Sequence, residues 1–143
     1  MNILRTILTT AVVGSVSAAV FLVFLGHRTD YVGHYSAGFG GTLVALAIGV
    51  GLIARETNLS QLSRVVLILL VAAIMLGGVF ESTIFRLAIF DPVDFCNQSL
   101  GAAIAALAVL GAAPKTPMFG GEVGLMFAVG TFFVLVGFHY AFM

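Results

Sequence analysis

The chain has too few charged residues to cover the surface of a water-soluble protein. Its 143 residues include only six lysines and arginines and six aspartates and glutamates, together 8% of the chain. Soluble globular domains carry about 25% charged residues. Because 61% of the residues are hydrophobic, we expect an integral membrane protein whose most extensive contacts are with membrane lipids.

Other scarcities exclude further classes of protein. The net charge is zero and there is no basic run, so the electrostatic footprint of a nucleic-acid-binding protein is missing and no nucleic-acid partner is predicted. The single cysteine, Cys96, excludes an intrachain disulfide and a cysteine-ligated metal cluster. Tryptophan is absent, so tyrosine and phenylalanine have to supply the aromatic residues at the membrane interfaces.

Five long apolar segments are present, and they predict an all-α membrane protein. About 20 apolar residues, rising 1.5 Å each, span a hydrocarbon core of ~30 Å. We therefore expect a single transmembrane domain over 1–143, a bundle of five helices with short loops. The predicted spans are 4–26, 31–54, 64–89, 92–113 and 122–142. The small side chains of the fourth span predict that it lies inside the bundle.

Local patterns add detail to two of these spans. Asp30 is predicted to be the N-cap of the second span, and Asp91 followed by Pro92 to begin the fourth, because aspartate favours the N-cap and proline the first helical position. Small residues recur four apart in the second span, at Ala37, Gly41 and Ala45. Such spacing lets helix backbones approach closely in lipid, so it predicts tight helix packing.

Five spans place the two chain ends on opposite sides of the membrane. Basic residues favour the N-terminal side, with Arg5, Arg55, Arg64 and Lys115 there against Arg28 and Arg86 on the other side. The positive-inside rule then predicts a cytoplasmic N-terminus and an external C-terminus. We expect a multi-pass protein of the bacterial inner (cytoplasmic) membrane.

Polar residues of the spans collect at the side predicted to be external. They are His27, Arg28, Asp30, His34, Glu81, Arg86, Asp91, Asp94, Asn97, Gln98 and His139. Residues four apart share a helix face, which applies to Asp30 with His34 and to Asp94 with Gln98. Ionisable groups within membrane spans indicate a functional site by default.

Two interpretations of this collection stay open. The functional one is a polar pocket lined by Asp30, His34, Glu81, Arg86, Asp94 and Gln98. In the structural one, the aspartates cap helices and Glu81 is neutralised by Arg86 or His34.

No spacing in the chain assigns catalytic residues or a metal site. Metal ligands need convergent imidazole or carboxylate groups, and neither H-x-x-x-H nor E-x-x-H occurs. Ser82, Ser99 and Cys96 have no spacing that ties them to a base, so enzymatic activity is undecided, with the balance against it. His139 is either an interfacial residue or a candidate haem or pigment ligand. No cofactor is predicted, although bound lipid or pigment would suit the apolar helices.

Three segments, taken in order, resemble the VanZ-like family of small integral membrane proteins. They contain Asp30 with His34 in DYVGHYSAGFG, Glu81 in GGVFESTIF, and Asp94 with Gly101 in DFCNQSLG, and Arg86 lies in the turn between the last two. The resemblance covers about 30–113.

The chain departs from the family pattern at several positions. Tyr31 stands where the family often has lysine, Ile84 where a glutamine usually follows the glutamate, and Gln98 where asparagine is expected. In addition, Arg86 lies farther than usual from Asp94. The resemblance implies an association with the cell envelope and, for the family's namesake, with resistance to the glycopeptide teicoplanin. It implies no established reaction.

Two functional hypotheses follow. The first is a VanZ-like protein whose outer-face polar pocket binds an envelope lipid or glycan headgroup, with Arg86 contacting an anionic group of the ligand. The second is a non-catalytic accessory subunit of a larger membrane complex, respiratory or photosynthetic, which it would stabilise by packing against helices, lipid or pigment. Its partners would then be other membrane-protein subunits.

Overall fold

The structure is a bundle of five transmembrane helices, as the sequence predicts. The computed structural model describes residues 2–53, 58–83, 90–115 and 120–141, and every regular element in these ranges is helical. The helices are α1 (Ile3–Leu25), α2 (Thr29–Ile53), α3 (Leu59–Thr83), α4 (Pro92–Ala112) and α5 (Gly121–Ala141). Each is long and apolar enough to cross a membrane, so the chain is a multi-pass membrane protein.

Helix α2 lies at the centre of the bundle. It packs against all four other helices, and its residues Phe39, Leu43, Leu46 and Val50 are fully buried. Half of the residues in the most apolar 18-residue window of α2 are buried, compared with 39% of those in the corresponding window of α4. The most buried helix is therefore α2, followed by α4.

Two glycines explain how α4 packs so closely on α2. A Cβ atom at Gly38 would overlap the carbonyl oxygen of Gln98, and one at Gly101 would overlap the carbonyl oxygen of Tyr35. The two helix backbones are thus in direct contact at both glycines, which a larger residue would prevent. In lipid, where no hydrophobic effect drives helices together, such close packing supplies much of the association energy.

Helix α1 covers one side of this core. Its buried face consists of Thr6, Thr10, Gly14 and Ala18, spaced four apart, and the helix is π-helical at Ile7–Val12. The Thr10 hydroxyl donates a 2.6 Å hydrogen bond to the carbonyl oxygen of Thr6. This bond satisfies a buried polar group without a partner from another helix.

Helix α3 begins earlier than the sequence pattern predicts. It starts at Leu59, five residues before Arg64, because the side-chain oxygen of Asn58 accepts a 2.9 Å hydrogen bond from the backbone N–H of Gln61. Asparagine is among the best N-cap residues, so a polar stretch expected to be a loop is helical. The predicted end of this span, 84–89, lies outside the described residues.

Helix α4 begins at the Asp91–Pro92 pair, as the sequence predicts. The Asp91 carboxylate accepts a 2.7 Å hydrogen bond from the backbone N–H of Val93, and Pro92 is the first helical residue.

Replacing Asp91 with alanine removes this cap, and we expect it to lower the free energy of unfolding by about 1 kcal/mol. Denaturation in mixed micelles followed by circular dichroism measures the change. Asp91→Asn is the matched control, because asparagine retains the acceptor oxygen, and equal losses in both variants would contradict the capping role.

Candidate functional site

A cavity of about 880 Å³ lies between helices α2, α3, α4 and α5. Ligand pockets in proteins have volumes of about 300–1,000 Å³, so this space is large enough for a sizeable molecule. On α2 its lining runs from Gly33 to Ala45, and on α3 from Leu69 to Glu81. Eleven residues of helix separate His34 from Ala45, which corresponds to a depth of roughly 17 Å.

Small residues of α2 form the floor of the cavity. Ala37, Gly41 and Ala45 all line it, and a Cβ atom at Gly41 would have no neighbour within 4 Å. The expectation that this series makes tight helix packing is therefore wrong for Gly41. Ala37 does pack closely against α5, because a Cβ atom at Gly137 would lie 2.7 Å from the backbone nitrogen of Ala37. The spacing of these small residues is visible in the sequence, but the sequence does not show that Gly41 faces an open space.

The polar side chains of the lining are mostly at one end. They are His34, Glu81, Asp94 and Gln98 near the helix ends, and Thr42 deeper in. We call the first four residues the polar end of the cavity. Each belongs to the first two turns of α2 or α4 or to the last turn of α3, and these ends all lie on one side of the bundle. The remaining lining residues are glycine or apolar residues.

His34 and Asp94 form an ion pair or hydrogen bond across the polar end. The His34 Nε2 atom lies 3.4 Å from Asp94 Oδ2, and their side chains are 20% and 15% exposed. The second carboxylate oxygen, Asp94 Oδ1, is buried and has no hydrogen-bond partner among the residues that the structure describes. The pair therefore leaves one buried carboxylate oxygen without a hydrogen-bond donor from the described residues.

Glu81 is the most deeply buried charged group of the polar end. The residue is only 7% exposed, it lines the cavity, and within the described ranges no ion pair includes it. In particular, His34 pairs with Asp94 rather than with Glu81. A carboxylate in a membrane span is energetically costly unless it is paired, and the described residues provide Glu81 with no ion-pair partner.

Gln98 is placed by the close packing of α4. A Cβ atom at Gly77 would overlap the side-chain amide of Gln98, so this amide lies directly against the backbone of α3. Its contact with Gly77 and the backbone contact of Gln98 with Gly38 hold the residue between α2 and α3. An amide in this position offers both donors and an acceptor to a molecule in the cavity.

Asp30 does not line the cavity. Helix α2 begins at Thr29, so Asp30 lies in the first turn and is not the N-cap that the sequence predicts. Its carboxylate accepts a 2.7 Å hydrogen bond from Arg28, whose guanidinium also lies 4.0 Å above the ring of Tyr31. The Asp30 carboxylate raises the pKa of Arg28. This pair belongs to the turn between α1 and α2.

Replacing Asp30 with asparagine is therefore expected to have little effect on stability. Both side chains of the Arg28–Asp30 pair are about two-fifths exposed, at 42% and 40%, and exposed ion pairs contribute about 0–1 kcal/mol. We expect a loss below about 1 kcal/mol in the free energy of unfolding, measured by denaturation in mixed micelles. A loss of several kcal/mol would show that Asp30 has a structural role beyond this pair.

Two other candidates from the sequence, His139 and Cys96, lie apart from the cavity, and a third falls outside the described residues. Arg86 is outside the described residues. His139 is an exposed residue near the end of α5, with its ring 5.4 Å from that of Tyr140, and it does not line the cavity. Cys96 is exposed in the first turns of α4. Across the described part of the chain, no three His, Cys, Asp or Glu side chains are grouped as metal ligands would be.

No family model, curated protein or solved structure matches the chain. The site is therefore interpreted from its geometry. An apolar cavity about 17 Å deep with polar groups at one end matches a molecule that is itself apolar along most of its length and polar at one end.

Proposed function

We propose that the protein binds an amphiphilic molecule of the cell envelope, a lipid or a lipid-linked glycan, within the bundle. The apolar part of the ligand lies along the floor formed by Ala37, Gly41 and Ala45, and its headgroup lies at the polar end. The observation that supports this most is that one continuous cavity joins this apolar floor to His34 and Glu81.

The ligand enters from the bilayer, between α3 and α5. Within the described residues these two helices do not pack against each other, although both line the cavity. Three large lining residues, Leu76, Phe80 and Phe138, are 53%, 44% and 56% exposed, so they border an opening and not a closed interior. A lateral opening lets a lipid-like molecule enter without crossing water.

We further propose that the protein lies in the bacterial cytoplasmic membrane. Its N-terminus is then in the cytoplasm, and the polar end of the cavity is at the outer face. The charge distribution of the loops supports this orientation. The residues on which the VanZ-like resemblance depends include His34, Glu81 and Asp94, all of which line the cavity. Envelope-related binding is what that resemblance implies.

The test uses a single tryptophan as a reporter, because the natural chain has none. Phe138→Trp places it in the cavity lining, and Phe132→Trp, on the same helix but outside the lining and 60% exposed, is the matched control. The protein in detergent micelles is titrated with an amphiphile brominated on its alkyl chain, which quenches tryptophan fluorescence on contact.

We expect saturable quenching of the tryptophan at position 138, and at position 132 only quenching proportional to the brominated fraction of the micelle. Identical, non-saturable quenching at both positions would contradict the proposal. The accessory-subunit hypothesis predicts a different result, namely co-migration with a large complex in mild detergent and no saturable site.

A further inference from the structure

The polar end contains two carboxylates and no lysine or arginine, and its donors are the neutral Gln98 amide and the ring of His34, which contacts Asp94. Asp94 Oδ1 has no hydrogen-bond partner and Glu81 no ion-pair partner among the described residues, and no described lysine or arginine lines the cavity. Arg28, in the turn before α2, donates hydrogen bonds from Nε and Nη2 to the two carboxylate oxygens of Asp30. His34 contacts Asp94, and Glu81 has no ion-pair partner among the described residues.

From this imbalance, and building on the proposed function, we infer that the headgroup of the ligand carries an ammonium group. An ammonium offers three donors and a positive charge, whereas a phosphate or carboxylate would add acceptors and negative charge beside Glu81 and Asp94. The sequence alone suggested an anionic group bound by Arg86. The described lining favours the opposite charge.

The burial of Glu81 strengthens the preference for an ammonium headgroup. Glu81 is 93% buried, since only 7% of the residue is exposed, and opposite charges attract more strongly where water is excluded. Charge-assisted hydrogen bonds are also roughly twice as strong as those between neutral groups. An ammonium beside Glu81 therefore offsets the cost of holding its carboxylate within the bundle.

The experiment compares three probes with the same alkyl chain: hexadecylamine, hexadecanol and hexadecyl phosphate. Each probe competes with the brominated amphiphile for the site reported by Phe138→Trp. The same brominated amphiphile is used in every titration, so its own partition into the micelle contributes the same background quenching. We expect the amine to compete at least tenfold more strongly than the alcohol, and the phosphate to compete least.

Glu81→Gln keeps the shape of the side chain and removes its charge. We expect it to reduce the competition by the amine to that of the alcohol and to leave the thermal midpoint unchanged or raised, because an unpaired buried charge is lost. Asp30→Asn is the matched control, a carboxylate on the same side of the bundle but outside the cavity lining, and it should leave the amine preference intact.

The outcomes separate this inference from the proposed function. If all three probes compete equally, or the phosphate competes best, the cavity binds amphiphiles but the ammonium inference is overturned. An unchanged amine preference in the folded Glu81→Gln variant also overturns it. If the brominated amphiphile itself shows no saturable quenching, the proposed function fails as well.

Discussion

Replacing Gly101 with alanine is expected to lower the free energy of unfolding by about 3 kcal/mol or more, the upper end of what overpacking costs. The added methyl group would overlap the carbonyl oxygen of Tyr35 and lie 2.7 Å from the backbone nitrogen of Phe39. Backbone atoms of a central helix cannot move aside as a flexible side chain can. The two helices would have to separate, and their packing is the main interaction that holds them together in lipid.

Gly41→Ala is the matched control for this change. Both positions are glycines in the interiors of membrane helices, but a Cβ at Gly41 meets nothing within 4 Å. Alanine is a better helix former than glycine by about 1 kcal/mol, so this variant should be as stable as the natural protein or more so. Thermal unfolding of both variants in the same detergent is the measurement. Similar midpoints would contradict the close contact of α2 with α4.

Replacing Gly41 with leucine is expected to weaken binding of the amphiphile at least tenfold, or about 1.4 kcal/mol. The leucine side chain would project into the open space above the floor, where Ala37 and Ala45 flank it one helical turn away on either side. It would fill part of the volume that the apolar chain of the ligand needs. Because nothing stands within 4 Å of the new Cβ atom, the helix contacts are left in place.

The readout for this variant is the saturable quenching of the tryptophan at position 138. We expect Gly41→Leu to lose the saturable component while its circular dichroism and thermal midpoint stay unchanged. Gly41→Ala again serves as the control, since one methyl group leaves most of the roughly 880 Å³ free. Undiminished saturable binding in a folded Gly41→Leu protein would show that the ligand lies elsewhere.

Much of the fold could be predicted from the sequence because lipid imposes simple rules on length and hydropathy. Five apolar segments predicted five helices, and Asp91 before Pro92 predicted where α4 begins. The start of α3 could not be found this way. Asn58 caps a polar first turn, and hydropathy does not distinguish such a turn from a loop.

The side of the bundle that carries the polar end could also be predicted, since His34, Glu81 and Asp94 all lie near helix ends on the same side. Which of the polar residues face inward could not. Asp30 and His34 are four apart and share a face, yet Asp30 bonds to Arg28 and His34 to Asp94. Arg28, two residues before Asp30, binds the Asp30 carboxylate and keeps it out of the cavity lining. Helical spacing alone does not predict this contact.

The cavity itself left no unambiguous signal in the sequence. Gly38 and Gly41 lie on the same helix and look alike as members of a glycine-rich span. A Cβ at the first would overlap α4, whereas one at the second would meet open space. Whether a small residue marks close packing or a vacancy depends on what the neighbouring helix places opposite it, which is a property of the assembled bundle.

Native mass spectrometry of the protein purified in mild detergent tests the central claim most directly. The natural protein and Gly41→Leu are expressed and purified in parallel, and their masses are compared after detergent is removed. We predict that the natural protein retains one amphiphilic molecule and that the folded Gly41→Leu variant retains none. A natural protein without any bound amphiphile, or the same adduct on both proteins, would contradict the claim that this cavity binds an amphiphile.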